Sequence, residues 1–422
     1  MGLYTIPRSG GFNTRDFMKI LFLHSNFPAQ FRHLAANLGQ DNNNHVVFGT
    51  ARKEGQIPGV YKVVYSPSRN PHRETHHYIK PLEGAVLQGQ AVYRVLDKLK
   101  ADGFVPDVVY GHSGWGSTMF VKDIFPRARL LCYFEWFYNA EGADVGFDPS
   151  EPLTPDDKLR IRIKNTPILT DLYSCDAGMC PTSWQLKQFP AEYHNKLKVL
   201  HDGIDTQYFS PQKGEKLILP SIGLDLSEAK EIITYVSRGM EPYRGFPQFM
   251  ESVSLLQKRR KNCHIVVVGE DRVAYGRQLP NGKTFKQLML EKLDLDLSRL
   301  HFTGRLSYSE YLRVLRTSSV HVYLTRPFVL SWSMLEAMST GCIIVASNTP
   351  PVTEVVHDGV NGILADFFSP QDIVEKVENA LDDPDRMEML RINAREAILA
   401  KYSLSDLLPK HLEWIRKTTN NS

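Results

Sequence analysis

The sequence lacks several features that would decide its class at once. No apolar run approaches the roughly 20 residues needed to cross a bilayer, so no membrane span is predicted. The five cysteines form no CxxC pair, and Cys132, Cys263 and Cys342 lie in or beside apolar runs, so we expect reduced core residues in a cytoplasmic protein. The net charge is only +3 with dispersed lysine and arginine, which does not indicate nucleic-acid binding.

Short fingerprints of nucleotide and metal sites are missing as well. Neither GxGxxG nor GxxxxGK[ST] follows a predicted first strand. His72, His76 and His77 lie close together, but no cysteine or carboxylate set completes a ligand group, so no metal is expected. Residues 1–17 contain no apolar core of the signal-peptide type, and we expect a disordered tail there.

What the sequence does contain is two successive alternations of strand-like and helix-like segments. With 422 residues the chain is too long for one ordinary core. A polar stretch at 211–229 reads as a linker, after which the alternation restarts. The pattern predicts an α/β protein with two doubly wound, Rossmann-like parallel-sheet domains facing a central cleft, at 18–210 and 211–400. The amphipathic segment 401–422 is expected to be a helix that packs back on the first domain.

The stretch RPFVLSWSMLEAMSTG, residues 326–341, lies between two strand-like runs and predicts a βαβ unit. Ligands of such units bind at the carboxyl ends of the strands, so Glu336 can face a bound molecule. Its carboxylate is suited to accept hydrogen bonds from a sugar diol. The alternative is a glutamate in the first turn that complements the helix dipole.

Arg238 and Arg244 flank a turn containing glycine and proline, directly after the first strand of the second half. Arginine suits bidentate binding of phosphate oxygens, and the helix that starts near Phe246 would add its dipole. The alternative is a pair of solvated surface arginines.

Other candidates lie at strand ends of the first half. His112, on a glycine-rich turn, is a candidate acid–base or sugar-contacting residue, or else it caps a neighbouring helix. The aromatic side chains at these strand ends suit stacking on a sugar ring, although such residues also pack on their own domain. They are Trp115, Trp136, Phe137 and Tyr138.

Together and in this order, these motifs resemble the retaining glycosyltransferases of family 4, which have the GT-B architecture. The similarity runs from Met18 over nearly the whole chain and is strongest in YVSRGMEPYRGF, HIVVVGED, LHFTGRLSYSEY and EVVHDGVNGILAD. In the first half, PDVVYGHSGWG and KVLHDGIDTQYFSP are similar to family segments. The resemblance implies a first domain that binds the acceptor and a second that binds a nucleotide sugar. It also implies a bacterial exopolysaccharide-type member, with a cyanobacterial source as one expectation.

The resemblance assigns roles residue by residue. Arg238 and Arg244 match the basic residues that bind the donor diphosphate, Glu336 matches the glutamate that holds the ribose, and His112 matches a histidine near the donor sugar. The expected catalytic residues are His112, Arg238 and Arg244. The expected substrate-binding residues are Glu336, Arg238, Arg244, Gly269, Arg305, Leu306, Leu330, Ser331, Trp332 and Leu335.

The chain also departs from the family pattern. The first glutamate of the E-x7-E signature falls at Phe328, and Pro350-Pro351 replaces the glycine pair before Glu354. Residues 26–30 replace the glycine-rich loop after the first strand. The missing glutamate is the one expected near the hydroxyls of the sugar, so the identity of the sugar stays open.

The resemblance implies transfer of a hexose, with retention, from a UDP-sugar to a glycan or lipid-linked saccharide in the cytoplasm. UDP-glucose is the first choice and GDP-mannose the second, with no cofactor, metal or nucleic acid and with peripheral membrane contact left open. Two alternatives remain. One is a catalytically silent nucleotide-sugar-binding subunit, which Phe328 motivates, and the other is a UDP-sugar epimerase of the same fold.

Overall fold

The structure, a computed structural model, describes residues 18–420, so the expected tail at 1–17 lies outside the described residues. The first domain is built on a parallel sheet covered by helices. Its strands are β1 (Met18–Leu23), β2 (Asn44–Thr50), β3 (Val60–Val64), β4 (Val108–His112), β5 (Arg129–Tyr133), β6 (Ala177–Cys180) and β7 (Leu197–Val199). Its helices are α1 (Arg32–Gln40), α2 (Lys80–Ala101), α3 (Val121–Ile124), α4 (Pro155–Lys164), α5 (Thr166–Ser174) and α6 (Ser183–Leu186).

The second domain repeats the plan with a parallel sheet of its own, preceded by a small antiparallel hairpin. Its strands are β8 (Ile218–Leu219), β9 (Leu224–Asp225), β10 (Glu231–Gly239), β11 (Cys263–Glu270), β12 (Leu300–Gly304), β13 (Val320–Tyr323), β14 (Ile344–Ser347) and β15 (Ile363–Ala365). Its helices are α7 (Phe246–Arg259), α8 (Phe285–Lys292), α9 (Tyr308–Arg316), α10 (Trp332–Ser339), α11 (Pro350–Thr353), α12 (Pro370–Asp382) and α13 (Pro384–Lys401), and α14 (Leu404–Asn420) follows. The predicted α/β class is confirmed.

The central strands form because their residues are apolar on both faces. In β1, residues 20–23 are completely buried, as expected for a parallel sheet covered by helices on both sides. The strand orders are β3-β2-β1-β4-β5-β6-β7 and β12-β11-β10-β13-β14-β15. Each order reverses once, between β1 and β4 and between β10 and β13, and ligands bind at the carboxyl ends of strands beside such reversals.

The interpretation of 211–229 as a free linker is wrong. Residues 218–225 form the hairpin β8–β9, and three of the four leucines of the stretch, Leu217, Leu219 and Leu226, are buried against strand residues of the second sheet. Lysine before the leucines, and proline, serine, glycine and aspartate between them, give the segment a polar composition that hides this packing. The hairpin is therefore part of the second domain.

The last helix, α14, returns to the first domain. Leu407 and Ile415 pack in a cluster with Ile20 and Phe22 of β1. The ring of Trp414 lies edge-on to that of Tyr110, with centroids 5.6 Å apart. None of the helices between residues 18 and 420 combines the length and hydrophobicity needed to span a bilayer.

Helix α10 carries the candidate carboxylate and is held at both ends. Ser331 caps its start, because the hydroxyl accepts a hydrogen bond from the backbone N–H of Ser333. Gly341 follows the helix with φ of 80°, a left-handed conformation that glycine adopts without strain. Residues 334–339 are buried on every side, so the position of α10 is fixed by the core of the second domain.

Candidate active site

Arg238 lies at the carboxyl end of β10 and is exposed to the cleft between the domains. It makes no hydrogen bond or ion pair with any residue in the described range 18–420. Its positive charge nevertheless acts across the cleft and helps to lower the pKa of Glu135 in the first domain. Arg238 is therefore a free cation placed between the two strand-order reversals.

Arg244 differs from Arg238, because its side chain is only 7% exposed. Its Nη1 donates hydrogen bonds to the hydroxyl of Tyr323 at 3.1 Å, to Oγ1 of Thr325 at 2.9 Å and to the carbonyl of Val329 at 2.9 Å. The interpretation of Arg244 as a solvated surface residue is wrong. This arginine holds the loop that connects β13 to α10.

Glu336 is the fifth residue of α10, so the alternative of a first-turn dipole partner is also wrong. Its side chain is 9% exposed and lines a cavity of about 260 Å³ between the domains. Oε2 accepts a hydrogen bond from the hydroxyl of Tyr311 at 2.8 Å, while Oε1 has no hydrogen-bond partner within residues 18–420. Burial raises the pKa of Glu336 to about 7, against the opposing effects of the Tyr311 hydroxyl and the charge of Arg32.

A pH dependence of ligand binding follows from this environment. If the ionised Glu336 accepts hydrogen bonds from a ribose diol, UDP-glucose should bind about tenfold more tightly at pH 8 than at pH 6, because a carboxyl with a pKa of about 7 must lose its proton first. Titration calorimetry at both pH values measures the difference. In Glu336→Gln the dependence should disappear, and an unchanged dependence in this variant would assign it to other groups.

The first-domain side of the cleft contains a cluster of polar side chains. Nε2 of His112, at the end of β4, lies 3.6 Å from Oε2 of Glu135, and Oε1 of Glu135 accepts a hydrogen bond from Gln30 at 3.1 Å. Burial favours a neutral Glu135, but the hydrogen bond and charge of His112 and the charges of Arg238 and Arg244 together hold its pKa below the ordinary value. Glu135 is therefore an ionised carboxylate at neutral pH.

His24, directly after β1, completes this cluster. Its ring centroid lies 4.6 Å from that of His112. Nδ1 accepts a hydrogen bond from the backbone N–H of Asn26 at 2.8 Å, so the other ring nitrogen carries the proton. That Nε2 is buried and has no hydrogen-bond partner among the described residues.

Phe328 has a packing role in place of the absent carboxylate. Its ring packs edge-on against Trp136 of the first domain, with centroids 4.9 Å apart, and against Tyr243 at 5.4 Å and Tyr275 at 5.2 Å. The phenyl ring therefore closes an apolar contact across the cleft, where the family pattern has a polar group. Glu135, the neighbour of Trp136 in sequence, is a carboxylate on the first-domain side of this contact.

Two family models match the chain, and together they cover both domains. Residues 42–209 match the model described as glycosyl transferase family 4 group. Residues 223–397 match the model described as glycosyl transferases group 1. The chain belongs to the family 4 glycosyltransferases.

Curated relatives of this glycosyltransferase are distant in sequence. The α-D-kanosaminyltransferase of Streptomyces kanamyceticus is 27% identical over 176 residues, which are 42% of this chain and 43% of the relative. The α-maltose-1-phosphate synthase of Mycolicibacterium smegmatis is 23% identical over 251 residues, which are 56% of this chain and 60% of the relative. The match thus spans about half the length of these relatives.

Solved structures show the same GT-B fold. The complex of Anabaena HepE with UDP-glucose superimposes with a TM-score of 0.68 and 15% identity, covering 95% of this chain and all of the other. Sucrose-phosphate synthase from Thermosynechococcus elongatus gives a TM-score of 0.70 and 15% identity, covering 96% of this chain and all of the other.

The remaining predicted site residues of the glycosyltransferase fall into two groups. Gly269 ends β11 with φ of 144°, and a Cβ there would lie 2.1 Å from the carbonyl oxygen of Ser237, so only glycine fits. Arg305 is exposed and Leu306 is half-buried beside it. In contrast, the side chains of Leu330 and Leu335 are buried in the core of the second domain, so the structure does not bring these two side chains into the cleft.

Ser331 and Trp332 make contacts within the protein. The backbone N–H of Ser331 donates to the hydroxyl of Tyr323 at 2.9 Å. Nε1 of Trp332 donates to Oδ2 of Asp202 in the first domain at 2.9 Å. Burial, aided by the charge of Glu135, raises the pKa of Asp202 to about 7, and the hydrogen bonds from Tyr133 and Trp332 oppose this rise.

Sequence reasoning missed several polar residues of the cleft. Each follows a strand or lies at the start of a helix of the first domain, and the parallel sheet of that domain brings their strand ends together. The position of Glu135 at the end of β5 was a usable signal, since the same rule identified His112. The missed residues are His24, Gln30, Arg32, Glu135 and Asp202.

Glu354 connects the two domains of the enzyme. Its carboxylate accepts hydrogen bonds from the backbone N–H groups of Ser183 at 2.8 Å and Trp184 at 2.6 Å, at the start of α6. Nε1 of Trp184 in turn donates to the carbonyl of Phe328 at 3.1 Å. These bonds connect the two domains directly across the cleft.

Removing the Glu354 carboxylate should open the cleft. Each charge-assisted hydrogen bond contributes about 1.5–3 kcal/mol, so Glu354→Ala should shift the domain equilibrium more than tenfold toward open forms. Small-angle X-ray scattering should show a larger radius of gyration, and the KM for the donor should rise. The exposed Glu375 on α12 supplies the control variant Glu375→Ala. Equal radii of gyration for the wild type and both variants would exclude this function of Glu354.

Proposed function

We propose that the enzyme transfers a hexose, with glucose as the first choice, from a UDP-sugar to a hydroxyl of a glycan or lipid-linked saccharide. The transfer retains the anomeric configuration and serves polysaccharide biosynthesis. The observation that carries the proposal is the position of the free cation Arg238 opposite the His112–Glu135 pair. A nucleotide sugar needs a cation for its diphosphate and polar groups for its sugar at such a junction.

The nucleoside would bind on the second-domain side. Glu336 has one oxygen held by Tyr311 and one without a partner among the described residues, so the free oxygen can accept a hydrogen bond from the ribose. Asp202 and Arg32 line the same cavity from the first domain. The complex of Anabaena HepE with UDP-glucose, which shares the fold, makes UDP-glucose the first donor to test.

Breaking the anomeric C–O bond leaves negative charge on the diphosphate and positive charge on the sugar ring. Arg238, from the surface of the cleft, and Arg244, from the position fixed by its hydrogen bonds, stabilise the leaving diphosphate. The acceptor oxygen forms the new bond on the face that the leaving group vacates, and its proton passes to the departing phosphate oxygen. Because the arginines supply the positive charge, the reaction needs no metal. The cross-cleft contacts of Phe328 and Glu354 limit the access of water.

Free and buried cysteines at all five positions fit a cytoplasmic location, which is part of this proposal.

The test is an assay of nucleotide release. The purified chain is incubated with UDP-glucose, UDP-galactose, GDP-mannose and ADP-glucose, with and without EDTA, beside the Arg238→Ala variant. We expect UDP release from UDP-glucose that EDTA does not change and that the variant slows at least 100-fold. NMR of the product would show the α-anomer. Binding of UDP without any release would favour the silent subunit, and a rearranged UDP-sugar without transfer would favour the epimerase.

The choice of base is tested separately by thermal unfolding. At 100 times its Kd, UDP should stabilise the folded enzyme by about 2.7 kcal/mol, because it binds only the folded state. GDP and ADP at the same concentration should raise the unfolding temperature less. A larger shift with GDP would make GDP-mannose the donor.

A further inference from the structure

A second cavity lies entirely within the first domain. It has a volume of about 360 Å³ and opens at the carboxyl ends of β4 and β5. Its inner end is formed by His112 and Glu135, and its walls include Trp115, Trp136 and Lys164. Glu336 does not line it, so a nucleotide held by Glu336 leaves this cavity free for another molecule.

Lys164 is a cation that lines this cavity and interacts with the charge of Asp144 without forming an ion pair with it. It is the last residue of α4, and its Nζ lies 3.5 Å from the centroid of the Tyr138 ring. It forms no hydrogen bond or ion pair with any residue between 18 and 420. Burial lowers its pKa to about 8, while the charge of Asp144 acts in the opposite direction. The other cation of the cavity, Arg69, is already neutralised by Glu83 at 2.6 Å.

The backbone around Lys164 is fixed, so the ammonium group is not on a loose segment. Asn165 and Tyr138 exchange two hydrogen bonds, of 2.9 Å from the Tyr138 backbone N–H and 2.8 Å to its carbonyl. A desolvated cation held in place in this way costs free energy unless a negative group pairs with it. The face of the Tyr138 ring offsets only part of this cost.

The same cavity contains groups that suit a sugar. The Trp115 side chain is 53% exposed and offers a ring face for stacking. Nε1 of Trp136 is a buried donor without a hydrogen-bond partner among the described residues. Glu135 at the inner end of the cavity can accept a hydrogen bond from a hydroxyl of such a ligand.

We propose that this cavity binds an acidic saccharide as the acceptor, with its carboxylate or phosphate on Lys164 and its sugar ring on Trp115. The inference rests on the proposed transferase function and adds the chemical class of the acceptor. A neutral saccharide would leave the partly buried ammonium group of Lys164 with only the Tyr138 ring and the charge of Asp144 to offset its desolvation, so charge selects the acceptor.

The test compares three small probes in the presence of UDP: p-nitrophenyl β-glucuronide, p-nitrophenyl β-glucoside and glucose 1-phosphate. Saturation-transfer NMR gives the Kd of each. We expect the glucuronide or the sugar phosphate to bind at least tenfold more tightly than the glucoside, and the stronger of the two identifies the anionic group. In Lys164→Met this preference should vanish, whereas Lys164→Arg should keep most of it.

Two controls separate the possible failures. Lys158→Met changes a lysine on the same helix that is paired with Glu141, and it should keep the preference. UDP binding and UDP-glucose hydrolysis in the absence of probe should be the same in the wild type and in all variants. If the wild type neither binds UDP nor hydrolyses UDP-glucose, the transferase function itself is refuted. With donor binding intact, equal binding of acidic and neutral probes, or a preference that survives in Lys164→Met, overturns the acidic acceptor.

Discussion

Replacing Arg238 by alanine is expected to lower kcat/KM by about 100- to 1000-fold and to leave the unfolding temperature unchanged. Arg238 is exposed and makes no hydrogen bond or ion pair within residues 18–420, so the fold does not depend on it. Its charge faces the cleft, where the diphosphate of a donor becomes more negative as the glycosidic bond breaks. Steady-state kinetics with UDP-glucose and calorimetric unfolding measure the two effects.

The variant Arg244→Ala is expected to differ from Arg238→Ala, because it should lose stability as well as activity. Truncation of the side chain removes three hydrogen bonds and leaves the Tyr323 hydroxyl and the Val329 carbonyl without that donor, so Arg244→Ala should lose activity and also about 3–5 kcal/mol of stability. Arg94→Ala, an exposed arginine on α2, should change neither property. If Arg238→Ala keeps its activity within threefold of the wild type, Arg238 does not bind the leaving group.

Replacing Glu135 by glutamine is expected to lower kcat about 100-fold without weakening the binding of UDP. Glu135 is held ionised by His112 and by the arginines of the opposite domain, and it lies at the inner end of the cavity proposed for the acceptor. A carboxylate there stabilises the positive charge that develops on the sugar ring, or accepts a hydrogen bond from the attacking hydroxyl. Since it also repels the diphosphate, its neutralisation should leave UDP affinity equal or higher.

A lower kcat with unchanged UDP affinity in Glu135→Gln would distinguish a function of Glu135 in the reaction from a structural one. A merely structural role would lower stability and UDP binding together with turnover. The matched control is Glu141→Gln, which changes an exposed glutamate of the first domain that pairs with Lys158. An unchanged kcat in Glu135→Gln would show that the carboxylate missing at Phe328 has no substitute at position 135.

The fold was predictable because its signal is local. Strands such as β1 and β11 are continuous apolar runs, and a parallel sheet buried on both faces requires such runs. The hairpin β8–β9 was missed because its buried leucines follow lysine and are separated by proline, serine, glycine and aspartate. In that segment the tertiary contact with the second sheet decides the structure, and composition does not report it.

The site was predictable only in part, for the same physical reason. The rule that ligands bind at strand ends located Arg238, His112 and the helix of Glu336. It could not separate the free Arg238 from the buried Arg244, because the two differ in contacts made with residues about 80 positions further along the chain. The same rule could have selected Glu135, but not its ionisation, which depends on the contact with His112 and on the charges of Arg238 and Arg244.

The hydroxyl of Tyr323 has a consequence for how a nucleotide diphosphate would be bound. Its single phenolic oxygen accepts two hydrogen bonds. One comes from Nη1 of Arg244 at 3.1 Å, and the other comes from the backbone N–H of Ser331 at 2.9 Å, at the start of the helix that carries Glu336. The diphosphate end and the ribose end of the site therefore share a single buried anchor. The protein therefore fixes the distance between these two ends of the proposed site. A ligand would be selected by the spacing between its phosphates and its ribose as much as by either group alone.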